Sequence, residues 1–229
     1  AMDAAAGDAG LAEADQIKAV AAKLVALKAI SPQGRVPPEI AAAARSRVER
    51  AVAEKHSQYV RSGVINSVQA VLDALDDNAR ARDIVRNEIA SAKAPYYYMS
   101  ELGAIEEKLG NRTEALQWFE RAYREARGPA TRFQWGVQYV LALLRLAPDD
   151  EARIRAVASS VLGELDGPET LYRRSRLRLE TLDARLRDWN AGGKRTGTLT
   201  ALRVRLRPLC ARIPREEAAR SSCDAFLRT

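Results

Sequence analysis

Few side chains of this sequence can do chemistry near neutral pH. His56 is the one histidine among 229 residues, and proton transfer at neutrality most often uses an imidazole. It lies in Glu54-Lys55-His56-Ser57-Gln58-Tyr59, a polar helical stretch where a solvated or capping histidine is expected rather than a catalytic one. The carboxylate pairs Asp76-Asp77, Glu106-Glu107 and Asp149-Asp150 fall at turns or at adjacent helix positions that point apart. They read as helix caps and solvated faces, not as an acid and a base. One histidine and two distant cysteines do not compose a metal-ligand set, and no glycine-rich phosphate loop, nucleophile elbow or zinc-protease motif occurs. The expectation is a chain without catalysis, bound metal or cofactor.

Cys210 and Cys223 are the only cysteines. They flank Ile213-Pro214-Arg215, which reads as a link between two final helices. A disulfide is the first reading: it would close a loop worth about 3 kcal/mol and imply an oxidising compartment. In a straight hairpin centred near Pro214, however, Cys210 faces residue 218. Cys223 then lies roughly five residues, ~7.5 Å, out of register, beyond the ~7 Å reach of a bridge unless the helices cross at an angle or the last turn unwinds. Two free buried thiols are the alternative. A catalytic pair is disfavoured, since the spacing is not Cys-x-x-Cys.

Helices must position these groups. Alanine, leucine, arginine and glutamate dominate, prolines fall between periodic segments, and no alternating β-branched run reaches strand length. The length suffices to bury a sizeable core as one elongated domain or two joined ones. Breaks are expected at 31–38 and at 190–198, where Ala191-Gly192-Gly193-Lys194 ends one helix and Thr196-Gly197-Thr198 suits the cap of the next. About ten helices follow from this reading. No stretch approaches the ~20 apolar residues that span a bilayer, so no membrane span is expected. The opening Ala1-Met2 reads as an expression scar from which any upstream targeting signal or domain has been removed, and 1–10 reads as disordered.

Within 96–129, Leu102-Gly103, Gly110, Ala115, Phe119 and Ala122 place small residues where two antiparallel helices touch, a ring one turn later and a glycine in the turn. The segment resembles a tetratricopeptide repeat. It departs at Met99 and Glu106, where aromatics are wanted, and at Pro129, two residues late. The preceding unit, 62–95, keeps Ile65, Val68, Ala81, Val85 and an Asp76-Asp77-Asn78 turn, but has Gln69 and Glu88 at small-residue positions. In the following unit Phe133 takes the aromatic place and Gly136-Val137 fits poorly. Ala152 and Ala156 fit there only with about three residues inserted near Ala147-Pro148-Asp149-Asp150. A lone repeat cannot bury its apolar face, so the resemblance implies an all-α, antiparallel helix-hairpin (tetratricopeptide-like) solenoid. Its segments are a scar and disordered start at 1–10, N-terminal helices over 11–61, repeats over 62–165, and basic C-terminal helices with the cysteine pair over 166–229.

The family binds extended peptides along the first helix of each pair. Carrying those positions over gives Asn66 and Ala70, then Tyr97, Ser100, Glu101, Ala104 and Lys108, then Thr131, Gln134, Trp135 and Gln138. The lysine and asparagine clamp that some members close on a terminal carboxylate is missing. A hydrogen-bonding groove with Tyr97 and Trp135 as aromatic anchors is expected instead. The competing reading makes Tyr96, Tyr98, Trp118 and Trp135 fillers between helices, and it is preferred for Tyr98 and Trp118.

A second resemblance is broader. The runs Ala94-Pro95-Tyr96-Tyr97-Tyr98-Met99, Arg127-Gly128-Pro129-Ala130-Thr131-Arg132-Phe133-Gln134-Trp135-Gly136, Arg187-Asp188-Trp189-Asn190 and Cys223-Asp224-Ala225-Phe226-Leu227 are similar to the helical region that follows the thioredoxin domain in some bacterial exported thioredoxin-family proteins. No Trp-Cys-x-x-Cys site and no βαβ pattern occur here. The resemblance implies a non-catalytic accessory module, periplasmic or otherwise exported, that presents a protein or peptide partner while any redox chemistry lies in a domain outside this chain.

Net charge is +7 and uneven. Residues 171–229 carry 15 basic and 6 acidic side chains, against 13 and 12 in 1–94 and 9 and 12 in 95–170. The series Arg173, Arg174, Arg176, Arg178, Arg185, Arg187, Lys194, Arg195, Arg203, Arg205 and Arg207 suits phosphates or an acidic partner, so a basic nucleic-acid-binding helical domain is the alternative function. Against it, Arg173, Arg174 and Arg178 cannot all share a face with Arg176, and no aromatics are interleaved for base stacking.

Overall fold

Residues 2–8, 10–226 and 228, which the computed structural model describes, form helices and no strand. In chain order these are α1 (Met2–Ala6), α2 (Glu13–Ile30), α3 (Pro38–Ala53), α4 (Gln58–Ala74), α5 (Asn78–Glu88), α6 (Pro95–Lys108), α7 (Arg112–Glu125), α8 (Pro129–Leu146), α9 (Glu151–Gly163), α10 (Arg173–Trp189), α11 (Thr196–Arg212) and α12 (Ala218–Ala225). The count among described residues is twelve, not about ten. Five-residue α1 and eight-residue α12 are shorter than the window over which a helical period registers. Over 1–10, expected to lack structure, Met2–Ala6 is helical, and Ala1 and Ala9 lie outside the described residues.

Local sequence explains five of the twelve helix starts. Pro38, Pro95 and Pro129 open α3, α6 and α8, where a missing N–H loses no bond. Asp77 and Asp150 cap α5 and α9 by accepting from the Arg80 and Arg153 amides at 3.4 and 3.1 Å. The expected break at 31–38 falls between α2 and α3, which begins at Pro38; that at 190–198 is only 190–195, and Thr196-Gly197-Thr198, expected to cap the next helix, are the first residues of α11 with Arg195 at its cap position.

The chain divides into two compact units, Ala1–Ala92 and Lys93–Thr229. The division lies inside the segment 62–165. In the first unit α2, α3 and α5 pack on α4, with Ile17, Leu24, Val48, Val64, Ile65, Val68 and Val85 fully buried between them. Glu88, at a small-residue position, is also buried. Arg61 makes that tolerable by donating from Nη2 at 2.5 Å and from Nε at 3.1 Å.

In the second unit α6 packs on α7 through Gly103, where a Cβ would stand 2.9 Å from the Phe119 ring. The turn between them uses Gly110 at φ +82°. Gly136, which fits the repeat pattern poorly, makes a close approach in the next pair, α8 on α9: a Cβ there would meet Cγ2 of Val161 at 2.5 Å. Ala152 and Ala156 are exposed rather than packed. The Asp150 cap sets the phase of α9 so that Ile154, Ala158 and Val161 turn inward. Further along, α10 packs on α8 and α12, and α11 on α9 and α12. Cys210 and Cys223 are bridged, with Cα atoms 5.5 Å apart. The cysteines lie nearer than a hairpin centred at Pro214 allows because the link occupies 213–217 and α12 starts only at Ala218. Its centre falls at Arg215, which brings Cys223 about two residues closer to Cys210 than a Pro214 centre would.

Candidate peptide-binding surface

The run Tyr96-Tyr97-Tyr98 follows Pro95 in the first turn of α6, and a helix sends three consecutive side chains in three directions. Tyr98 turns into the core, as expected of a filler, whereas Tyr97 is 51% exposed. From α8, Trp135 comes up beneath Tyr97 with ring centroids 5.0 Å apart and edge-on, and Tyr96 stands 6.3 Å from the same indole. Trp135 is 8% exposed, and its Nε1 is shut from water with no hydrogen-bond partner. Such a buried, unmade donor is uncommon.

Arg178, half-buried on α10, feels the charge of the Tyr172 and Tyr97 hydroxyls. Burial above all, with repulsion from Arg174 among the lesser causes, holds its guanidinium below the ordinary arginine value. It remains a cation at neutral pH, and a carboxylate placed beside it would relieve both penalties. No sequence pattern relates Arg178 to Tyr97, because the two sit on different helices eighty-one positions apart.

The other expected groove residues are distributed as follows. Ser100 is buried on α6, Glu101 and Lys108 are exposed there, and on α8 Gln134 is half-buried and Gln138 exposed. Asn66 is exposed on α4, in the first unit. Trp118, expected as a filler, is only half-buried and lies under the Arg121 guanidinium at 4.8 Å. The adjacent arginine shelters the ring at the surface.

The groups singled out for chemistry resolve differently. His56 is not on a helix but in the link between α3 and α4, with its side chain largely buried. Glu106 is buried rather than solvated, accepting from Asn111 Nδ2 at 2.7 Å. Glu107 takes two bonds from Arg145 at 2.8 and 2.7 Å, and those bonds hold its carboxyl below the usual range.

Two further networks lie among α7, α8 and α9. The Tyr123 hydroxyl donates to Glu164 at 2.9 Å, and Arg132 donates to the same carboxylate. The Tyr139 hydroxyl accepts from Arg153 at 2.6 Å and donates to Glu120 at 3.2 Å. Desolvation first, then the Glu164 bond, pushes Tyr123 up to about 12, and desolvation raises Tyr139 as well. Phenols that hold their protons this firmly are poorly matched to proton transfer at neutral pH, so these networks read as fasteners between helices.

No helix of the described residues is long and apolar enough to cross a membrane. Comparisons with protein-family models, with curated proteins and with solved structures return no significant match.

Proposed function

We propose that this chain is a non-catalytic helical scaffold of tetratricopeptide-like pairs that binds a protein or peptide partner, as an accessory module of an exported thioredoxin-family protein. The carrying observation is the half-exposed Tyr97 standing edge-on against Trp135 at 5.0 Å. An aromatic anchored by a second ring offers contact area at low entropic cost. Arg178, whose charge the Tyr97 hydroxyl influences, favours an acidic segment of the partner. The packing order supports the helix-pair reading, since α6 lies on α7, α7 on α8, and α6 also on α8. The Cys210–Cys223 bridge is compatible with an oxidising compartment.

The test is selection from a phage-displayed library of twelve-residue peptides. Enriched peptides should bind Tyr97→Ala and Arg178→Ala at least about tenfold more weakly than the parent. Absence of enrichment, or binders indifferent to both substitutions, overturns the reading. A basic nucleic-acid-binding domain is the second reading. It draws on a cleft of about 270 Å³ beside the bridge, lined by Arg203, Arg207, Arg220 and Arg228 among others.

A further inference from the structure

We propose that the first unit carries a site for a divalent transition metal, suited to Zn2+, made by Glu13, Glu54 and His56. Three segments converge there. Glu13 opens α2, Glu54 follows the last residue of α3, and His56 lies two positions on, in the link to α4. One donor atom from each residue lies within 4.8 Å of the other two.

The histidine is the decisive member. Its side chain is only 9% exposed, and Nε2 stands 3.1 Å from Oε2 of Glu13. That is within ion-pair reach but off the line a hydrogen bond needs, so this buried nitrogen has no hydrogen-bond partner. A cation held between them would give this nitrogen the partner it lacks and the Glu13 carboxylate a counter-charge. With metal–ligand bonds of about 2.1 Å, a 3.1 Å separation subtends roughly 95° at the metal. The pair is thus already spaced as one edge of a coordination polyhedron. Glu54, exposed at the end of α3, has room to swing in as the third ligand.

The donor set selects the metal. An imidazole favours zinc over magnesium or calcium, two carboxylates neutralise its charge, and three protein ligands leave one position for water. The carbonyls ending α3 add negative potential at Glu54. Arg61, which donates to the Glu54 carbonyl, is also engaged by Glu88 and by the Val52 carbonyl. A metal here fastens the start of α2 to the α3–α4 link, a structural clip whose binding free energy adds to the stability of the unit.

The experiment is titration of the untagged, chelator-stripped protein with ZnCl2, followed by calorimetry and by thermal unfolding. One equivalent should bind and raise Tm by about 5 °C or more at saturating zinc. His56→Ala, Glu13→Gln and Glu54→Gln should each weaken binding at least about tenfold and abolish the rise. Glu54 is exposed, so Glu54→Gln decides the matter if the substitution at buried His56 costs the fold. Failure to bind zinc, or binding of unchanged affinity in Glu54→Gln, overturns the site and leaves a plain contact between His56 and Glu13.

Discussion

At Gly136 a Cβ would stand 2.5 Å from Cγ2 of Val161 and 3.1 Å from the Tyr123 ring, so α7, α8 and α9 approach one another at a point where one methyl does not fit. Gly136→Ala is expected to lower stability by about 1–3 kcal/mol in urea unfolding. Gly192→Ala, with open space around it, should change it by less than about 0.5 kcal/mol. Tyr123 beside it gives a pH signature. An unfolded tyrosine loses its proton near 10, whereas the folded one holds it to about 12. The stabilisation is fully present below pH 10 and is lost as the pH rises from 10 to 12. Tyr123→Phe, which has no proton to lose, should decline less steeply over that window when unfolding is followed by circular dichroism at stepped pH. Tyr97 and Trp135 were each singled out in the sequence, but that their rings meet was not legible there, since it depends on how α8 lies against α6. Nor were the surroundings of His56. Glu13 and Glu54 are far apart in sequence and meet only because α2 packs on α4, which no local pattern encodes.

At the scale of elements, legibility follows how local the determinant is. The α6–α7 pair was readable because Gly103 and Phe119 meet across the single turn that Gly110 makes. The phase of α9 was not readable by offset from that unit, since the Asp150 cap resets it. The C-terminal hairpin was readable in outline, and its closure depended on a link longer than the one assumed. The bridge ties α11 to α12, and eight-residue α12 is too short to hold itself together as an isolated helix. Replacing both cysteines by serine is therefore expected to cost about 3 kcal/mol, measured by urea unfolding. A loss of helical circular dichroism amounting to roughly one short helix should appear even before the main transition. Reduction of the parent protein should reproduce both effects. If it leaves the transition unmoved, the bridge is no constraint on the fold.

For the whole molecule the net charge of +7 overstates the attraction for phosphates. Arg176, Arg185, Arg187 and Arg195 are each within 4 Å of a carboxylate, on Glu180, Asp188, Asp183 and Asp149. In the arginine-lined cleft Arg220 is held by Asp224 at 2.7 Å. Arg187 also donates to the carbonyls of Ala225 and Arg228, so its fork is already filled. A count of cations by segment could not reveal this, since the pairing depends on which helix face each charge occupies. Salt separates the two proposed functions. A protein engaging phosphates through six or more contacts loses about 10³–10⁵ in affinity for duplex DNA between 50 and 200 mM salt, whereas an aromatic anchor on a peptide responds modestly. The expectation is weak duplex binding at 50 mM salt, gone at 200 mM, alongside peptide binding that persists at both and falls with Tyr97→Ala. Arg203→Ala with Arg207→Ala should remove the DNA signal and leave the peptide signal intact. Tight duplex binding at 150 mM salt, lost in that double variant and retained in Tyr97→Ala, would transfer the function to the basic helices.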